Sequence, residues 1–428
     1  MLERTRVGFP LVAALVVGAA GCGSAPTVPP RPDLLLVTAD SLRPDRLSCY
    51  GGPTDLGERL CALGSSPGGA IYEWAFATAP SGAASAASLL TSLYPSQHGL
   101  LGAPEAFLPS GVESLPEVLS STGYETAAVV SQAELNRSRN LHQGFDHYDD
   151  GPRFAPGAGQ PGSGIETVAT LGHRSAAQTT DAALRWLAGA GSPWFLWVHY
   201  GDLHWPLDAA PIANYEEYER RYREGIRRIE HELMRLLSAT DRPNRRPALL
   251  LTATHGEAIG EDGVWFSHGH SLGLEQLRVP LLWRPSRGPG PLHPAAGEAH
   301  PIASEANAAG SAAVSGVDVA PTLLWAAGVA APESWEGEPL PTRPQALPAP
   351  GPPRPVFAEQ GRRVAVVADH RYYARDREPG GPARVALLVD GEELPAPMPV
   401  LSTNREETGA DRLEALLAEF LGSMQLAK

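Results

Sequence analysis

Asp33-Leu34-Leu35-Leu36-Val37-Thr38-Ala39-Asp40-Ser41-Leu42-Arg43 runs apolar residues together and then stops at a carboxylate. An apolar run of this length reads as a strand buried on both faces, which is how a parallel sheet presents its strands. Ligands of open α/β sheets bind outside the carboxyl ends of the strands, so Asp40 is the first candidate site residue. Other segments point to the same edge. Thr126 to Ser131 reads as a buried strand, Trp194 to Val198 as one ending at His199, and Ala248 to Thr252 as one running into Thr254-His255-Gly256-Glu257. Ala83 to Leu93, Leu115 to Leu119, Gln178 to Leu187, Tyr215 to Leu237 and Val317 to Ala327 read as helices. This alternation predicts an α/β fold: a large mixed, mostly parallel sheet sandwiched by helices. It occupies residues 33–331. A Pro-rich linker follows over 332–355. A small C-terminal α+β subdomain is expected over 356–428, with short strands in 357–390 and a terminal helix from Asp411 to Leu421.

The chain has 428 residues, enough for a large core, and a net charge of −14 from 34 basic and 48 acidic residues. No basic stripe exists, which argues against a nucleic-acid partner. Residues 1–21 read as a signal peptide: Arg4 and Arg6, then the apolar Leu11 to Val17, then small residues ending at Cys22. The pattern resembles a bacterial lipoprotein box, with Cys22 as the lipidated residue and 22–32 as a Pro-rich tether. The expected location is the bacterial cell envelope, outside the cytoplasm, held at the membrane by an N-terminal lipid. The apolar run is short for a membrane span. Cys49 and Cys61 are the remaining cysteines; their spacing leaves open whether they pair.

Several motifs, collinear over nearly the whole mature chain, resemble the sulfatase family of the alkaline-phosphatase-like superfamily. They include Asp40-Ser41-Leu42-Arg43-Pro44-Asp45 with Cys49-Tyr50-Gly51, and Ser88-Leu89-Leu90-Thr91-Ser92-Leu93-Tyr94-Pro95 with His98-Gly99. Further along come His199-Tyr200-Gly201-Asp202-Leu203-His204-Trp205-Pro206, His255-Gly256-Glu257 running to His268-Gly269-His270, and Val317-Asp318-Val319-Ala320-Pro321-Thr322. The resemblance implies a hydrolase of sulfuric or phosphoric esters. Such a site needs a hard divalent cation on carboxylates, a nucleophile beside it, and groups that stabilise the charged oxygens. In sulfatases the nucleophile is a Cys or Ser oxidised to formylglycine.

The same alignment shows what is missing. Asp40 stands at the first metal-ligand position and His255 survives as a residual ligand, but Thr254 occupies the place of an expected Asp. The nucleophile position falls on Gly82, which has no side chain to form a covalent ester. Ser81 is the fallback hydroxyl. A basic residue expected four positions later is Ala86, and the Cys-x-Pro-x-Arg maturation signature is absent. Arg43, His199, His204 and His268 remain as anion-facing candidates, with His270 in the same motif and Asp202 placed to orient a neighbouring His. Two readings follow. One is a catalytically impaired or inactive sulfatase homologue that binds an anionic small molecule or glycan and holds no resident metal. The other is an active, rewired metal-dependent ester hydrolase holding Ca, Mg or another divalent ion at Asp40 and His255. A purely structural envelope lipoprotein is the third option.

Overall fold

The computed structural model describes residues 31–101, 106–151, 174–204, 214–287, 313–340, 354–368, 371–376, 384–387 and 410–426. The signal peptide, Cys22 and most of the tether lie outside these residues, as does much of the Pro-rich segment. No helix among the described residues is long and apolar enough to cross a membrane.

The opening strand, Leu34–Ala39, sits inside a seven-stranded sheet. The order across the sheet is Ala70–Ile71, Leu281–Arg284, Ala248–Ala253, Leu34–Ala39, Trp194–Tyr200, Glu125–Val130, His147–Asp149. The last five strands run parallel; at one edge Leu281–Arg284 is antiparallel to them and Ala70–Ile71 is antiparallel to Leu281–Arg284. Leu34 to Val37 are fully buried, as expected for a strand covered on both faces. Helices flank the sheet: Leu115–Ser121 packs on Glu125–Val130, Ala176–Leu187 on Trp194–Tyr200, and Val319–Ala327 on Ala248–Ala253. Ser114 and Glu117 form a capping box at the first of these, with Ser114 Oγ and N both donating to Glu117 Oε2.

The expected fold and its element order are therefore present, and most differences lie at the ends. Trp194–Tyr200 extends two residues past the expected end and takes in His199. Tyr215–Thr240 runs three residues past Leu237. The helix expected at Val317 starts at Val319, after a 3₁₀ turn over Gly316–Asp318. A larger difference concerns the linker, whose first part is not a tether. Leu340 and Trp335 are buried, and the backbone N–H groups of Gly337 and Leu340 donate to Ser92 Oγ and Thr322 Oγ1. The buried side chains and the paired backbone bind 332–340 to the sheet domain.

The C-terminal subdomain is a four-stranded antiparallel sheet, Val356–Gln360, Arg363–Ala368, Arg371–Asp376 and Arg384–Leu387, with helix Ala410–Leu426 against it. Its core meets the main domain through Tyr94, which packs edge-on to Phe357 and Phe420. Gln360 and Arg363 donate to the Gly269 and His270 carbonyls, so this subdomain grips the His268-Gly269-His270 loop. Cys49 and Cys61 are joined in a disulfide, which resolves the open pairing.

Helix Gly82–Thr91 is buried along its whole length. Beneath it, Thr78 Oγ1 donates to Ser88 Oγ, which lies 3.0 Å from His98 Nε2, while His98 Nδ1 accepts the Leu100 N–H. The fully buried imidazole is thus locked neutral, and burial depresses its pKa to about 3. The unfolded chain binds this proton below about pH 6.5 and the folded chain does not. Stability tied to His98 is therefore complete above that pH and falls as pH drops towards 3, by at most about 1.4 kcal/mol per unit. Urea midpoints measured between pH 4 and 7 are expected to fall more steeply in the wild type than in His98→Asn. Parallel slopes would contradict this.

Candidate active site

The register of the central strands fixes the site. Ala39 pairs with Tyr200 on one side and Ala253 on the other, so Asp40, Gly201 and Thr254 leave the sheet level with one another. Asp40 is fully buried. Gln132 Nε2 donates to its Oδ2 at 2.8 Å, and Thr254 Oγ1 donates to its Oδ1. His255 Nε2 lies 3.1 Å from the same Oδ1, and His204 Nε2 lies 3.9 Å from Oδ2. Burial alone would raise the Asp40 carboxyl. The His255 imidazole, with smaller effects from His204 and His199, instead holds it well below the usual carboxylate range. Burial pulls His255 the other way, but Asp40 outweighs it and raises the imidazole to about 9. The two form a buried ion pair.

Gln132 arrives from the end of Glu125–Val130, two places across the sheet, and reaches Asp40 by crossing Gly201. A Cβ on Gly201 would stand 2.7 Å from Gln132 Cγ and 2.9 Å from Ser131 Oγ. The Gly in the His199-Tyr200-Gly201 motif therefore clears the path for the amide. That amide is itself oriented by a relay. Trp197 Nε1–H donates to Thr38 Oγ1, whose own proton faces His199 Nδ1 at 2.8 Å. The remaining His199 nitrogen, Nε2, carries the proton and lies 3.2 Å from Gln132 Oε1. Gln132 then has its Nε2 turned to Asp40.

The nucleophile position is where the structure adds most. Helix Gly82–Thr91 begins at Gly82, with Ser81 extended before it and making no side-chain cap. A Cβ built on Gly82 would stand 1.7 Å from Glu134 Oε1 and 3.4 Å from Asp40 Oδ1. The carboxylate of Glu134, carried on the 3₁₀ turn Ala133–Leu135, fills the space a side chain at position 82 would need. Asp40, Glu134 and His255 each offer a ligand atom within 4.8 Å of the others. Glu134 Oε1 is a buried atom with no hydrogen-bond partner, and His255 Nε2 faces only Asp40 Oδ1. Two carboxylates, an imidazole and an unpartnered buried oxygen fit a divalent cation. These three residues would hold the ion, which would supply positive charge at this edge when bound.

The anion-facing candidates divide. His199 is fully buried with both ring nitrogens engaged, so it positions Gln132 and does not face a ligand. Arg43 is also turned away: its guanidinium donates to both Asp45 carboxylate oxygens, the Glu257 carbonyl and Glu261 Oε1. Asp202 pairs with Arg228 at 3.5 Å. His204 and His268 do flank the site, with ring centroids 5.1 Å apart and side chains 28% and 20% exposed. His268 Nδ1 approaches Glu257 at 3.3 Å and its ring packs 4.1 Å from His255. His270 Nε2 contacts the Gln276 amide. Ser41 adopts a left-handed φ of 56°, and its hydroxyl donates to Glu257 Oε2. That strained turn aims Asp40 inward and carries Arg43 outward.

The sulfatase family model matches residues 32–329. The chain belongs to the sulfatase family. No curated protein matches it. Among solved structures it is similar to a 2-O GAG sulfatase, with a TM-score of 0.69 at 16% identity, over 92% of this chain and 93% of that one. A structure in complex with its substrate D-glucosamine-2-N,6-O-disulfate superposes with a TM-score of 0.68 at 16% identity, covering 92% and 98%. The phosphonate monoester hydrolase of Agrobacterium radiobacter gives 0.63 at 17%, covering 92% and 96%. At these identities the likeness concerns the fold.

Sequence reasoning found Asp40, Gly82, Thr254 and His255, and the structure brings all four together. It missed Gln132 and Glu134, which lie in none of the motifs quoted above; Gly82 was a trace of them, since an absent side chain leaves room for another. The structure makes a direct demand on this pair. Gly82→Ser alone is expected to destabilise the fold by about 1–3 kcal/mol through overpacking. Glu134→Ala in the same chain is expected to remove most of that loss. Urea unfolding of the wild type, both single variants and the double variant measures the coupling, and additivity within about 0.5 kcal/mol would show that the two positions do not compete for one space.

Proposed function

We propose that this member of the sulfatase family is a catalytically impaired homologue that binds an anionic glycan at the carboxyl edge of its sheet. One observation carries the reading. At the position where a covalent nucleophile is needed there is a glycine, and its space is taken by a carboxylate. A carboxylate there adds negative charge where an ester oxyanion would approach. His204 and His268 are the groups left at the mouth to meet sulfate oxygens. The neighbour holding a disulfated glucosamine supports the choice of ligand class.

The expected result is no turnover of aryl sulfate or aryl phosphate above the buffer rate, with saturable binding of D-glucosamine-2-N,6-O-disulfate by calorimetry. His204→Ala and His268→Ala are each expected to weaken that binding about tenfold, the scale of one charge-assisted hydrogen bond. Turnover that disappears with chelator would reverse the reading. It would favour a rewired metal-dependent hydrolase instead, for which the convergence of Asp40, Glu134 and His255 is the supporting observation.

We also propose that the mature chain is an envelope lipoprotein anchored through Cys22. The disulfide between Cys49 and Cys61 supports an oxidising compartment outside the cytoplasm. The wild type expressed in a bacterial host is expected in the membrane fraction with a diacylglyceryl mass on its N-terminal peptide, and Cys22→Ala in the soluble fraction or uncleaved. An unmodified wild-type N-terminus would remove the anchor.

A further inference from the structure

A deleted side chain at position 82 would ordinarily leave a void or a water beside Asp40. Here the void holds Glu134. Its Oε1 lies 1.7 Å from the position of an added Cβ, closer than any two unbonded atoms could stand, so the carboxylate and a side chain at 82 exclude each other. Two features indicate that this carboxylate is not simply filling space. It is aimed at Asp40 and His255, with one ligand atom from each residue within 4.8 Å of the others. It also leaves Oε1 as a buried atom with no hydrogen-bond partner, close to the fully buried His255, whose Nε2 faces only Asp40 Oδ1 at 3.1 Å. Leaving a carboxylate oxygen unsatisfied is unfavourable unless something binds it. A cation would satisfy that oxygen, take the place of the His255 proton beside Asp40, and relieve the repulsion of two carboxylates meeting in one space.

We propose that Glu134 is a metal ligand in this chain, forming with Asp40 and His255 a divalent-cation site in the volume Gly82 leaves free. Oxygen and imidazole donors at these separations suit one ion bonded at roughly 2.0–2.6 Å, with remaining positions open to water or an anionic ligand. Thr254 and Gln132 hold the Asp40 carboxylate in orientation as outer partners. The site thus exchanges an expected Asp at 254 and a side chain at 82 for one Glu supplied from a different loop. The inference concerns metal binding, and it holds whether or not an ester is cleaved.

Full-length protein stripped with chelator would be titrated with Mn²⁺, Zn²⁺, Ca²⁺ and Mg²⁺ by calorimetry. Metal content after dialysis would be read by mass spectrometry, and thermal midpoints recorded with and without ion. One equivalent of at least one of these ions is expected, with a raised midpoint. Glu134→Gln is expected to keep the fold by circular dichroism and to weaken binding at least tenfold. Gly82→Ala, which keeps all three ligands but pushes the Glu134 carboxylate aside, is expected to weaken it in the same direction and carries the test if Glu134→Gln does not fold. No bound metal in the wild type, or unchanged affinity in the folded variants, would overturn the proposal. Metal binding without turnover would leave the impaired reading intact, whereas turnover with metal bound would overturn that reading and leave this one standing.

Discussion

A fully buried carboxylate at the end of the central strand sets the terms for everything around it. Moving a charge out of water is unfavourable by several kcal/mol unless hydrogen bonds and opposite charge compensate. Asp40 receives both, from Gln132 after Glu125–Val130 and from Thr254 and His255 after Ala248–Ala253. The parallel register that brings these strand ends level is therefore also what makes the buried acid tolerable. A slip of one residue in any of the three strands would leave Asp40 facing apolar side chains.

The relay from Trp197 through Thr38 and His199 to Gln132 shows how far this constraint reaches into the core. An ionised Asp40 can only accept, so Gln132 turns its Nε2 to it and its Oε1 to His199, whose Nε2 must then carry the proton. The free Nδ1 of the neutral ring accepts from Thr38, whose oxygen accepts the Trp197 N–H. Residues that a motif presents as facing a ligand here fix one another's hydrogen-bond direction instead. Arg43 is the parallel case on the other side of the turn, where Asp45 and Glu261 neutralise its guanidinium. Burial lowers the Arg43 pKa, but the two carboxylates outweigh it and keep the group firmly charged.

The sheet, its helices and the convergence of Asp40, Gly82, Thr254 and His255 were legible because they are written locally. Apolar runs that end in polar residues mark strand ends, and a helix of small residues marks a close approach to the sheet. What escaped was whatever depends on side-chain direction between distant segments. Gln132 and Glu134 follow a strand two places across the sheet from Asp40, and nothing in Ser131-Gln132-Ala133-Glu134-Leu135 signals that they turn back towards it. His199 and Arg43 were legible as polar residues at the right edge, yet their orientation is decided by Thr38, Gln132, Asp45 and Glu261. The Pro-rich composition of 332–340 concealed a packed segment because Trp335 and Leu340, only two residues, do the packing.

The mutual exclusion of Glu134 and a side chain at position 82 has a consequence for ancestry. A chain that regained a hydroxyl or thiol at 82 would first have to expel a buried carboxylate. A chain that lost Glu134 first would carry an empty space beside Asp40. Either single step is unfavourable on its own, so within this packing positions 82 and 134 can change soundly only together.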